Sequence, residues 1–170
     1  MPILIADTSA LVSLGIASES SPDPLSLCLD EYDVRVPNHV VEELHDVASY
    51  DDDHGRAANA VLDHSAHYTV QSVELDAEFP LDDGENAAVT LANDIGAELV
   101  LCDEFIRLGL IHASLADTRL VTTPTLLSVF VRTETLTSEN ARTLLDEIST
   151  ARSWEANSYV ERARLLLDDS

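Results

Sequence analysis

Ile3-Leu4-Ile5-Ala6-Asp7-Thr8-Ser9-Ala10-Leu11 is the stretch whose reading decides the fold. Small and apolar residues run into an aspartate, which is followed at once by two hydroxyl residues and a helical apolar pattern. A short buried strand ending in Asp-Thr-Ser sets one carboxylate at the carboxyl end of a parallel sheet, where open α/β folds collect ligands. Thr8 or Ser9 is expected to cap the next helix through its side-chain oxygen. The plainer reading makes Asp7 and Thr8 turn and cap residues only. Acids recurring at other strand and helix ends weigh against it.

Working outward, helical patterns fall at residues 9–16, 25–29, 38–50, 55–67, 85–95, 104–116 and 124–131, and strands at 34–36, 68–73, 98–103 and 119–121. Asn38 is expected to cap the third of these helices, and Gly96 to stop the fifth, over residues 85–95. Residues 98–103, Glu-Leu-Val-Leu-Cys-Asp, are a second buried strand ending in an aspartate. Two further helical patterns, 138–149 and 154–167, form the tail. Strands alternating with helices predict an α/β domain with a mainly parallel sheet, its strand ends sharing one rim through right-handed crossovers.

The chain has 170 residues, 45% of them hydrophobic, enough for one globular core. No apolar run approaches the roughly 18 residues that span a bilayer. The first strand begins directly after Met1 with no basic segment before it, so no secretory signal, no membrane and a cytoplasmic location are expected. Cys28 and Cys102 lie in apolar runs without CxxC spacing and read as buried free thiols.

Thirty-two acidic residues face nine basic ones, every one an arginine, for a net charge of −23. Such a balance ordinarily argues against a polyanionic partner, because affinity for one rests on Lys and Arg releasing counterions. The acids fall mostly on polar faces and loops, such as Asp51-Asp52-Asp53 and Asp168-Asp169, as on a salt-adapted, halophilic protein. At molar salt the Debye length is about 3 Å, which makes such a surface tolerable.

Four acids matter: Asp7 and Asp103 at strand ends, Glu43 on the helix after the second strand, and Glu85 in the first turn of a helix. Carboxylates gathered at one rim repel by about 4 kcal/mol per pair at 4 Å and an effective dielectric of 20. A cation offsets that repulsion, and oxygen ligands without a Cys or His partner point to Mg²⁺ or Mn²⁺.

The blocks Ile5-Ala6-Asp7-Thr8-Ser9-Ala10-Leu11, Val36-Pro37-Asn38-His39-Val40-Val41-Glu42-Glu43-Leu44, Gly84-Glu85-Asn86-Ala87-Ala88-Val89 and Leu99-Val100-Leu101-Cys102-Asp103-Glu104 resemble, in order, those of a PIN domain. The resemblance covers roughly residues 2–131. It implies a three-layer α/β/α sandwich, with residues 1–132 as the PIN-like domain and 133–170 as a helical extension packed on it. It also implies Mg²⁺- or Mn²⁺-dependent hydrolysis of RNA, with Asp7, Glu43, Glu85 and Asp103 as metal-binding and catalytic acids and Thr8 and Ser9 supporting the first of them. Glu42 competes with Glu43, and Glu104 is a further acid of the kind some members carry. VapC-like toxins belong to this family, so an antitoxin protein and a homodimer are implied partners beside RNA.

Arg107, Arg56 and Arg132 are the arginines considered for RNA contact, with surface ion pairing the commoner role. His64 and His67, three apart, have a spacing that also serves metal sites, but no third ligand accompanies them. A catalytically inactive PIN-like binding module is the alternative from another class. A haloacid-dehalogenase-like phosphatase would want an acid two residues after Asp7, where Ser9 stands.

Overall fold

The computed structural model describes residues 1–168; Asp169, read as part of an acidic end, lies outside the described residues. Five parallel strands, β1 (Ile3–Ala6), β2 (Asp33–Pro37), β3 (Thr69–Gln71), β4 (Leu99–Leu101) and β5 (Arg119–Val121), form one sheet in the order β3-β2-β1-β4-β5. Nine α-helices among the described residues cover it: α1 (Thr8–Ile16), α2 (Pro24–Glu31), α3 (Asn38–Ala48), α4 (Asp53–Asp63), α5 (Asp83–Ile95), α6 (Leu108–Ser114), α7 (Thr123–Arg132), α8 (Ser138–Arg152) and α9 (Ser158–Asp168).

Side chains alternating along the strands divide the core in two. Leu4 and Ala6 of β1 and Leu101 of β4 join the larger cluster, built with α1 to α4 and α7 to α9. Ile5 and Val100 face the smaller one, with Ala88, Leu91, Ala92 and Ile111 of α5 and α6. Helices on both faces of a parallel sheet make the expected three-layer α/β/α sandwich. Leu144, Leu145 and Ile148 of α8 and Val160, Ala163 and Leu167 of α9 lie inside the larger cluster, so both tail helices share the main core.

Several local expectations are corrected. Asp7 itself caps α1, its Oδ1 accepting from Ala10 N at 3.0 Å, while Thr8 is already helical. Asn38 is the first residue of α3 rather than its cap, and its Oδ1 accepts from Val73 N. α4 ends at Asp63, where His64 folds back to bind the Ala60 carbonyl, and β3 is only three residues long. The helix expected from residue 104 begins at Leu108, after a single 3₁₀ turn over Phe105–Arg107. The last helix starts at Ser158 instead of 154, because Trp154 turns into the core against Phe105, 4.9 Å between ring centres. Gly96 stops α5 in a left-handed conformation, as its position predicted.

α1 and α4 pack at backbone distance through Gly15, where a Cβ would stand 2.5 Å from the Ala57 carbonyl oxygen. Exchanging a helical glycine for alanine ordinarily gains about 1 kcal/mol. Here forcing two backbones apart costs more, about 1–3 kcal/mol. Gly15→Ala should therefore lower the melting temperature by several degrees; an unchanged or raised melting temperature would show that the helices part freely.

Candidate metal centre

In this strand order the chain runs outward from β1 to β2 and β3, then crosses back to the other side of β1 to form β4 and β5. The crevice between β1 and β4 is thus the topological switch point, where α/β sheets bind their ligands. Pairing of Ala6 with Leu101 brings the next residues, Asp7 and Cys102, side by side beyond the last rung.

Ser9 ties the two strand ends together. Its hydroxyl donates to Asp7 Oδ1 at 2.7 Å and accepts from the Asp103 backbone N–H at 2.9 Å. The Cys102 thiol donates to Asp7 Oδ2 at 2.9 Å. Asp103 turns to the start of α7, where Thr123 gives it two hydrogen bonds, 2.7 Å from N and 2.6 Å from Oγ1. Both carboxylates are nearly sealed from solvent, Asp7 at 3% and Asp103 at 4% exposure. Burial pushes Asp7 from 3.8 up to about 7, helped by the nearby Asp103 charge and opposed by the bonds from Cys102, Ala10 and Ser9. Burial raises Asp103 as well, against the bonds from Thr123.

A second group gathers at the N-terminus of α5, an end that favours negative charge. Asp82 caps the helix and Glu85 lies buried in its first turn. Glu43, reaching across from α3, presses on Gly84 so closely that a Cβ there would stand 1.7 Å from Glu43 Oε1. Burial raises the proton affinity of Glu43, as do Asp82, Asp83 and Glu104, while the adjacent Thr8 hydroxyl counteracts them. Glu85 is likewise pushed up by burial and by Asp82, with Arg107 pulling the other way. Arg107 Nε lies 2.6 Å from Glu85 Oε1, yet neither atom has the alignment of a hydrogen bond.

The predicted acids thus fall in two groups at one rim. Asp7 and Asp103 share the strand ends, Glu43 and Glu85 share the head of α5, and Thr8 lies between. Glu104 is partly buried and its charge reaches both glutamates; Glu42 is exposed on the outer side of α3. Among the described residues, no three His, Cys, Asp or Glu side chains are arranged to hold an ion as they stand. Asp103 spends both oxygens on Thr123, and Glu85 is occupied by Arg107. Four buried oxygens at this rim nonetheless lack an aligned donor: Thr8 Oγ1, Glu43 Oε1 and both of Glu85, whose Oε1 meets Arg107 only as an ion pair. An oxygen-only donor set with orphaned, charge-bearing atoms fits a hard divalent cation.

A family model described as a PIN domain matches residues 3–168. The chain belongs to the PIN-domain family. The match takes in α8 and α9, beyond the stretch that the sequence blocks covered. No curated protein matches the chain. PIN membership gives it a nuclease-like fold of the kind that acts on nucleic acid. No helix of the described residues is long and apolar enough to cross a membrane.

Two residues that hold the acids of this candidate site were not singled out from sequence: Cys102, read as a buried free thiol, and Thr123. Register was the missing signal. Cys102 lies beside Asp7 only because β4 pairs with β1, and Thr123 reaches Asp103 only because β5 pairs with β4.

The raised Asp7 has a consequence for stability. Below pH 3.8 the group is protonated folded or unfolded and costs nothing; as pH rises toward 7 only the unfolded chain gives up its proton, so stability falls through that window and stays low above it. At about 1.4 kcal/mol per tenfold change in proton affinity, the loss is of the order of 4 kcal/mol. In chelator, Asp7→Asn should raise the melting temperature by several degrees at pH 8 and change it little at pH 4. Equal melting of the two proteins at both pH values would contradict a buried charge at this position.

Proposed function

We propose that the protein is a Mg²⁺- or Mn²⁺-dependent endoribonuclease that hydrolyses phosphodiester bonds in single-stranded or structured RNA. Asp7, Glu43, Glu85 and Asp103 are its metal-binding and catalytic acids. The observation that carries this reading is the gathering of these acids at one rim, with the Glu43 and Glu85 carboxylates lacking aligned hydrogen-bond donors there. Leaving buried carboxylates without donors is costly, and a bound cation removes that cost.

When bound, a divalent ion would offset the negative charge that builds on the scissile phosphate and lower the pKa of water. The chain's own part is positioning and proton transfer. Ser9, Ala10 and Cys102 fix the Asp7 carboxylate so that it meets the ion in one orientation. Asp103 does the same from Thr123. Glu43, beside Thr8 and with Oε1 free of donors, orients the attacking water and takes its proton. In-line attack breaks the P–O3′ bond, leaving a 5′-phosphate and, once a proton returns from water, a 3′-hydroxyl. Accessible bases are needed for selectivity, because phosphate contacts carry no sequence information, and this favours loops and single strands. The PIN family includes VapC-like toxins, and membership in it is what supports a role as the toxin of a toxin–antitoxin pair.

A second reading, an inactive PIN-like binding module, has one observation in its favour: Glu85 is already neutralised by Arg107. Cleavage separates the two. With Mn²⁺ and an unstructured RNA, at salt up to the molar range, the wild-type chain should produce 5′-phosphorylated fragments. Asp7→Asn and Glu85→Gln should lose at least about a hundredfold in rate while keeping their fold, the size expected when electrostatic stabilisation of the transition state is lost. Equal rates in the variants, or no cleavage by folded wild-type protein with either metal, would rule out the nuclease.

A further inference from the structure

Of the arginines that form ion pairs in the described residues, Arg35, Arg56, Arg142 and Arg164 bind acids outside the candidate centre, namely Asp33, Asp53, Asp168 and Asp146. Arg107 alone among them binds one of the candidate acids. The pair is lopsided: the Glu85 side chain is 3% exposed and that of Arg107 40%, so the acid is sealed and the cation sits at the mouth. Its contact is also incomplete. At 2.6 Å the charges meet, yet the Arg107 Nε–H is not aligned on the Glu85 carboxylate as a hydrogen bond. Attraction without hydrogen bonds is what another cation replaces most easily, and a divalent ion brings twice the charge.

The backbone beneath Arg107 is held by ring packing, whereas its side chain is held only through the guanidinium at its tip. The Phe105–Arg107 turn is pinned by Phe105, which stacks on Tyr159 at 5.3 Å and meets Trp154 edge-on. The guanidinium already leans outward, one terminal nitrogen donating to the Pro80 carbonyl at 3.3 Å. Swinging it off Glu85 therefore needs only a rotamer change. A planar guanidinium released at the edge of the acidic rim has the geometry to take a phosphate in two hydrogen bonds.

We propose that Arg107 is an internal counter-ion that occupies Glu85 until a divalent cation displaces it, and that the freed guanidinium then binds the RNA phosphate. This rests on the metal-dependent reading above. It gives the acidic centre a cation in both states, and it gives a strongly acidic protein one phosphate contact that is released from Glu85 only when the metal is loaded.

Calorimetric titration of the metal-free full chain with Mn²⁺ at pH 7.5 tests it without any turnover. Arg107→Gln removes the competing charge and should bind Mn²⁺ at least about fivefold more tightly than wild type, within the range usual for coupled sites. Arg107→Lys keeps a competing charge and should stay close to wild type. In cleavage assays Arg107→Gln should raise KM for RNA severalfold. A purely structural Arg107 would leave Mn²⁺ affinity unchanged or weaker in folded Arg107→Gln, and that result overturns the inference while the nuclease reading stands. Absence of Mn²⁺ binding by wild type and variant alike overturns both.

Discussion

The candidate centre depends on one constraint: two carboxylates, Asp7 and Asp103, are held almost out of water at the ends of adjacent strands. Charge in such a place is unfavourable, and the chain tolerates it by surrounding each acid with donors. Ser9 serves both strands through a single hydroxyl, giving a hydrogen bond to Asp7 and receiving one from the Asp103 backbone. Cys102 and Thr123 complete the two cages from β4 and from the start of α7. The result is a pair of acids fixed in direction but high in proton affinity, a state that a bound cation relieves.

The crossover from β3 to β4 brings the rest of the centre to the same rim. It carries the head of α5 to the switch point, and Gly84 leaves room for Glu43 only by lacking a side chain. The tail takes part as well. Trp154 and Tyr159 grip Phe105 and so fix the turn that bears Arg107, which makes the tail a structural support for the centre.

Much of this was legible in the sequence because it is local. Apolar runs ending in Asp7 and Asp103 mark strands that stop at one rim, and the periodic pattern from Glu85 marks a helix, although its first turn reaches back to Asp83 within residues that read as a turn. What was not legible depends on contacts between distant residues. Phe105 leaves the helical pattern to meet Trp154 and Tyr159, which delays α6 to Leu108 and α9 to Ser158. Asp7 took the capping role expected of its hydroxyl neighbours because the extended Asp7 backbone precedes the first helical residue, Thr8. The pairing of Glu85 with Arg107 and the Cys102 bond to Asp7 follow from sheet register and packing, which no local pattern displays.

The central claim is that these acids form a single cation site. Anomalous diffraction from crystals soaked in Mn²⁺ tests it most directly. The expected result is a peak at the switch point, about 2.0–2.3 Å from oxygens of Asp7 and of at least one acid at the head of α5, with the Arg107 guanidinium moved away from Glu85. A centre with no peak, or peaks confined to surface acids such as Asp51, Asp52 and Asp53, would contradict it.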